Sequence, residues 1–253
     1  MTFTVVRRLL LLAIGAGVTY AFMRQLRKPA GRHGRRLART MNLGHSALTT
    51  WGLQWVTIDP RSVALDVGCG GGETIRKIAA KATDGRVEGV DYSTASVAVS
   101  RQTNAEAIAA GRVDVRMASV SRLPFDDGTF DLVTAVETHY YWPDIADDFR
   151  EVLRVVKPGG RFAIIAETYR GSRLDWLHRP VMRGVLRANY LSLDQHRAAL
   201  AAAASWMSTF TRSRRGGGCA PLRPGPAESL PNRQSGTADP LTPLSLVAWW
   251  FSN

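Results

Sequence analysis

The stretch 63–72, VALDVGCGGG, restricts what this chain can fold into more than any other part of it. Its first half is a short apolar run of the kind buried on both faces of a parallel sheet. Gly68, Gly70, Gly71 and Gly72 follow around Cys69, and helical spacing (Ile75, Ile78, Ala79, Ala82) begins after Glu73. In an open α/β sheet, ligands bind outside the carboxyl ends of the strands, where the topology switches. Glycine lets the backbone approach a ligand closely, and the next helix start offers unpaired N–H groups to a carboxylate. Taken alone, Gly70–Gly72 also reads as a plain tight turn.

Further strands are expected at 86–91 (RVEGVD), 113–118, 131–137 and 161–167, with helices at 94–110 and 144–156. Lys157-Pro158-Gly159-Gly160 reads as a turn after the second of these helices. Strands alternating with helices predict an α/β fold, a doubly wound, mostly parallel sheet. Asp91 ends the second strand 23 residues after Gly68. An acid near that offset suits the two hydroxyls of a ribose. Asp91 could equally cap the helix that follows, as could Ser93.

With these residues in place a resemblance emerges. Leu65-Asp-Val-Gly-Cys-Gly-Gly-Gly72 resembles the first motif of class I S-adenosylmethionine-dependent methyltransferases, and Val90-Asp91-Tyr92-Ser93 resembles the second. The loop 123–131 (LPFDDGTFD) and the run 153–160 (LRVVKPGG) resemble motifs of the UbiE-like "type 11" branch. The similarity runs from about Met41 to Ala204. It implies S-adenosylmethionine as the methyl donor. Asp66, Gly68, Cys69, Gly70 and Gly71 would surround its methionine part, Asp91 would hold the ribose, and Tyr92 would pack against adenine. Ser119 and Val120 would flank the adenine edge, with Ser119 standing where many members of the class carry Asp. Glu137 would lie beside the transferable methyl. The same glycine and acid signals, taken singly, occur in NAD-dependent oxidoreductases, but the glycine spacing here differs from theirs.

Methyl transfer from a sulfonium is an in-line displacement in which positioning supplies much of the rate. A base is needed only where the acceptor must lose a proton. Candidates lie in Glu137-Thr-His-Tyr-Tyr-Trp142: His139 and Glu137 as catalytic groups, and Tyr140, Tyr141 and Trp142 as an apolar wall. The alternative is that the aromatics cap the sheet and His139 faces solvent. His45, upstream of the first strand, faces either the donor site or solvent. No cluster has metal-ligand spacing.

The ends are less regular. The net charge of +12 is concentrated outside the centre: 1–40 holds nine cations and no acid, and 205–253 holds five cations and two acids, leaving 41–204 near neutral. This gives no reason to expect nucleic-acid binding. Leu9–Met23 is uncharged and flanked by arginines, at the lower length limit for a membrane span. As an anchor it would leave the catalytic domain cytoplasmic, with 24–40 against anionic headgroups. It also reads as a helix packed on the domain. The expected organisation is therefore 1–40 as apolar segment and basic linker, 41–204 as the methyltransferase domain, and 205–253 as an irregular tail. A full sheet of this class ends in two more strands, which 205–253 does not show. Read one base earlier, the codons of 205–211 can spell an alternating strand, so a frameshift near 201–205 is one explanation. The functional expectation is methyl transfer to a small or lipid-like acceptor. A degenerate S-adenosylmethionine-binding protein without catalysis and an NAD-dependent oxidoreductase are the alternatives.

Overall fold

The computed structural model describes residues 20–215 and 247–252, with side chains through 205. Six strands form one sheet in the order β3-β2-β1-β4-β5-β6. They are β1 (Val63–Val67), β2 (Arg86–Asp91), β3 (Val113–Met117), β4 (Phe130–Val136), β5 (Val156–Ala166) and β6 (Val247–Ser252). The first five run parallel, and β6 pairs antiparallel with β5. The order reverses between β1 and β4, which places the switch point where the glycine turn leaves β1.

The helices are α1 (Gly31–Gly52), α2 (Glu73–Lys81), α3 (Thr94–Thr103), α4 (Ala105–Ala109), α5 (Ile145–Val155), α6 (Asp175–Arg179) and α7 (Leu193–Arg215). Strand residues alternate between two apolar layers, as a pleat requires. Val133, Phe162 and Ile164 face Phe149 and Val152 of α5 and Leu200 of α7. Leu132, Ala163 and Ile165 face Leu48 of α1 and Ile75 and Ile78 of α2. Both faces are thus covered, which explains why these strands read as nearly continuous apolar runs. Asp144 caps α5 by accepting from the amides of Ala146 and Asp147, and Ser93 caps α3 by accepting from Ser96.

Phe149 is fully buried, with edge-on ring contacts to Trp142 and Phe162. Phe149→Ala is expected to cost about 3–5 kcal/mol through lost transfer energy and an unfilled cavity. A fall in urea midpoint with unchanged slope is the readout.

Several elements depart from expectation. Lys157–Gly160 is not a turn before β5 but a bulge within it: Phe130 pairs with Val156 and Leu132 with Arg161. Gly159, at φ 79°, accommodates the extra residues. The 94–110 helix is broken at Asn104 into α3 and α4. The boundary at 204 falls inside α7, and 205–253 is not wholly irregular, because α7 continues to Arg215 and β6 takes the antiparallel edge. Of the two C-terminal strands expected to be missing or replaced, one antiparallel edge strand, β6, is present among the described residues. Residues 205–211, where a shifted frame would write a strand, are helical in this chain. The first boundary also moves, since residues 26–40 pack on the domain as described below. Most of the apolar run 9–23 lies outside the described residues. Residues 20–27 are helical, and no helix among the described residues is long and apolar enough to cross a membrane.

Candidate active site

A cavity with about 1110 Å³ of empty space, its open mouth included, lies at the carboxyl ends of β1, β2 and β4. Its floor is the glycine turn. The amides of Gly68 and Cys69 both donate to the Val90 carbonyl, at 2.8 and 3.0 Å, tying the turn to the end of β2. Gly68 sits at φ 72°, and a Cβ there would lie 1.9 Å from Thr138 Oγ1. Gly70, at φ 52°, meets nothing within 4 Å in the direction of a Cβ. Its open side is the close approach that a ligand would use.

Three carboxyl groups from three strand ends converge here. Asp91 is 7% exposed; its carboxylate accepts from the Gly70 amide at 2.9 Å and the Ser93 amide at 2.8 Å. Burial raises its pKa, against the Ser93 and Gly70 amides and the Lys28 charge. Asp66 accepts from Thr134 Oγ1 at 2.7 Å. Burial first, and the Asp91 charge to a lesser degree, push it to about 7, with the Thr134 bond opposing. Glu137 follows β4 in a left-handed conformation, φ 55°, which is strained for a non-glycine residue. It accepts from the Glu167 amide and from Tyr140 Oη, the latter at 3.3 Å. Desolvation pushes its carboxyl to about 8.

The roof comes from upstream of β1. Leu26, Arg27, Pro29, Met41, Asn42 and His45 line the cavity. Asn42 donates to the Gly71 carbonyl at 2.8 Å, and Ser93 Oγ donates to the Pro29 carbonyl at 2.5 Å. Tyr92 Oη donates to the Arg27 carbonyl, and Lys28 Nζ stands 5.0 Å over the Tyr92 ring. Residues 26–29 therefore form a strap across the mouth. His45 faces the cavity rather than solvent; burial holds its imidazole below the ordinary value, partly offset by the Glu167 carboxylate.

Asp66, Gly68, Gly70, Gly71, Asp91, Tyr92, Ser119, Val120 and Glu137 are thus gathered around one cavity. Cys69 lines the cavity too, with its thiol buried among core side chains and its sulfur 3.7 Å from Ser100 Oγ. One expectation changes. His139 is not a cavity residue. It is fully buried, its Nε2 3.0 Å from Nε2 of His196, while Tyr141 and Trp142 line the cavity. His196 Nδ1 lies 2.9 Å from the Ser192 carbonyl, so its proton is assigned there. His139 then donates, and its Nδ1 is buried without a partner.

Both imidazoles are held below their ordinary value, His139 by burial and then by the His196 charge, His196 by burial against the Ser192 carbonyl. The unfolded chain therefore takes up more protons below about pH 6.5. The stability this pair contributes is complete above that pH and is lost as pH falls, by up to about 1.4 kcal/mol per unit per ring. Asp66 and Glu137, pushed upward, act in the opposite sense. The double variant His139→Phe/His196→Leu isolates the pair: its unfolding free energy should fall less steeply than wild type from about pH 6.5 to about 5.

Sheet order, glycine turn and strand-end acid together give a class I methyltransferase-like fold. Residues 65–164 match the family profile described as a methyltransferase domain. A 2-methyl-6-phytyl-1,4-hydroquinone methyltransferase of Synechocystis sp. is 38% identical over 144 residues, 55% of this chain and 43% of the relative. A demethylmenaquinone methyltransferase of Bacillus mycoides is 36% identical over 118 residues, 46% of this chain and 49% of the relative. The chain thus spans less than half the length of these curated relatives. A chain from the Haloferax volcanii complex containing the Trm112 methyltransferase activator shares the fold, with TM-score 0.64 and 17% identity over 85% of this chain and 92% of that one.

Proposed function

We propose that this protein transfers a methyl group from S-adenosylmethionine to a small, lipid-like acceptor. The carrying observation is the placement of Gly70's open face, Asp91 and Glu137 on one cavity at the topological switch point. The residues fit the donor. Gly70 leaves room for close backbone approach. Asp91 uses one lone pair on each oxygen for amides and keeps others for ribose hydroxyls. Asp66 lines the same cavity and would meet the donor's amino group as a carboxylate.

S-adenosylmethionine supplies an already activated methyl on a cationic sulfur. The protein's task is then to orient it, exclude water and manage a proton. Glu137, at the end of β4, ionises more readily once a cation lies beside it. His45, kept neutral by burial, can accept a proton from the acceptor. In this reading it replaces His139 as the candidate base. Tyr141 and Trp142 give the acceptor side an apolar wall. The phytyl-bearing hydroquinone named for one relative supports an acceptor of that kind.

Incubating the protein with methyl-labelled S-adenosylmethionine and a membrane lipid extract should yield a labelled, solvent-extractable product. Label appearing only in water-soluble product would contradict the lipid-like acceptor. Glu137 makes a further prediction. At neutral pH its carboxyl is largely protonated, so binding the sulfonium should release a proton that binding the neutral thioether of S-adenosylhomocysteine does not. Calorimetry in buffers of different ionisation enthalpy measures this difference. Glu137→Gln should abolish it.

A further inference from the structure

Ten large apolar side chains are exposed among the described residues, and four of them fall within one short segment. Trp176, Leu177, Val181 and Val185 are 74%, 52%, 43% and 50% exposed. They belong to α6 and the π-helical turn Pro180–Val185 that continues it. The opposite side of this element is occupied: Met182 is buried with Tyr140 and Tyr190, and Leu186 and Tyr141 pack against that cluster. An amphipathic element is therefore docked by its inner row, with a second apolar row left facing outward.

Arg173, Arg179, Arg183 and Arg187 are also exposed along the segment. The single acid in 173–187 is Asp175, which is ion-paired with Arg179 at 2.9 Å. Nothing acidic in the segment offsets Arg173, Arg183 or Arg187. Apolar side chains with a tryptophan among them, bordered by arginines whose long stems can reach headgroups, are what an interfacial helix presents to a bilayer. An anionic leaflet supplies both complements at once, hydrocarbon for the outer row and negative charge for the guanidinium groups.

We propose that residues 173–187 form a docking element for an anionic lipid surface, with Trp176, Leu177, Val181 and Val185 buried in the leaflet. The element is joined to the acceptor side of the cavity. Asn189 donates through its amide to the Tyr140 carbonyl and through Nδ2 to the Trp142 carbonyl, both at 2.7 Å. Docking would set the wall formed by Tyr141 and Trp142 beside the membrane, so that an acceptor dissolved in the bilayer reaches it without crossing water. This last link rests on the methyltransferase reading; the docking itself does not.

The test uses the full chain with Cys219→Ser and a polarity-sensitive fluorophore on Val181→Cys. Cys69 is buried and is not expected to react. The probe should shift to the blue, and be quenched by lipid-borne quenchers, with phosphatidylcholine vesicles containing phosphatidylglycerol. Pure phosphatidylcholine should give a much smaller response. A probe on Asp126→Cys, in the loop before β4, should not respond. Arg183→Glu/Arg187→Glu should raise the lipid concentration at half-response at least about tenfold. A probe at 181 that stays in water while the protein floats with vesicles would overturn the proposal. So would a blue shift that needs no vesicles and grows with protein concentration, which would assign the patch to a second copy. Titrating S-adenosylmethionine into the same labelled protein separates the two readings: failure there leaves the vesicle result standing.

Discussion

Gly68→Ala is expected to abolish S-adenosylmethionine binding and to lower stability by about 2–5 kcal/mol. The left-handed backbone at φ 72° costs an alanine about 1–2 kcal/mol. The added Cβ would lie 1.9 Å from Thr138 Oγ1 and 2.7 Å from Thr138 Cβ, and overpacking of this kind typically costs about 1–3 kcal/mol. Thr138 cannot yield without disturbing the site, because it sits between Glu137 and the 139–142 turn. The turn must move, and with it the Gly68 and Cys69 amides that hold β1 to β2. Thermal unfolding and ligand titration on the same sample measure both effects. Gly70→Ala gives the contrast. A Cβ there has open space, so its packing penalty should be small while the side chain intrudes where the donor would lie.

Asp91→Ala should weaken S-adenosylmethionine at least about a hundredfold. Charge-assisted hydrogen bonds are worth about 1.5–3 kcal/mol each, and about 1.4 kcal/mol is a factor of ten, so losing two to a ribose reaches that range. The same change strands the Gly70 and Ser93 amides, at about 1–3 kcal/mol for each donor left buried. Asp91→Asn separates the two effects. Its carbonyl can still accept one amide, so it should fold better than the alanine variant while binding the donor nearly as poorly.

The two periodicities that govern the sheet were readable directly. Apolar runs of strand length, punctuated by glycine and followed by helical spacing, placed β1, β2 and β4 and aligned Asp66, Asp91 and Glu137 at their ends. Local rules failed where tertiary contacts overrode them. Lys157-Pro158-Gly159-Gly160 carries every mark of a turn, yet pairing with β4 on either side makes it a bulge. His139 reads as a candidate base because it neighbours Glu137, but its partner His196 is 57 residues away on α7, and no local pattern reveals that pairing. The part of the roof before Met41 was hidden by charge. Residues 31–40 look like a basic linker, although their small residues repeat at helical spacing: Gly34, Ala38, then Thr49 and Gly52 are buried along α1. A Cβ on Gly34 would press on the Pro29 backbone, and one on Gly52 would press on Ile165. That row of small residues was the available signal for a helix lying close over the domain, and His45 and Asn42 come to the cavity with it.

Donor binding in this cavity is the property on which the methyl-transfer reading depends. Isothermal titration of S-adenosylmethionine into the full chain, with folding verified by circular dichroism, should give saturable one-to-one binding that S-adenosylhomocysteine competes away and Asp91→Asn nearly eliminates. A folded protein that takes up neither compound, or one that binds them unchanged after Asp91→Asn, would contradict it.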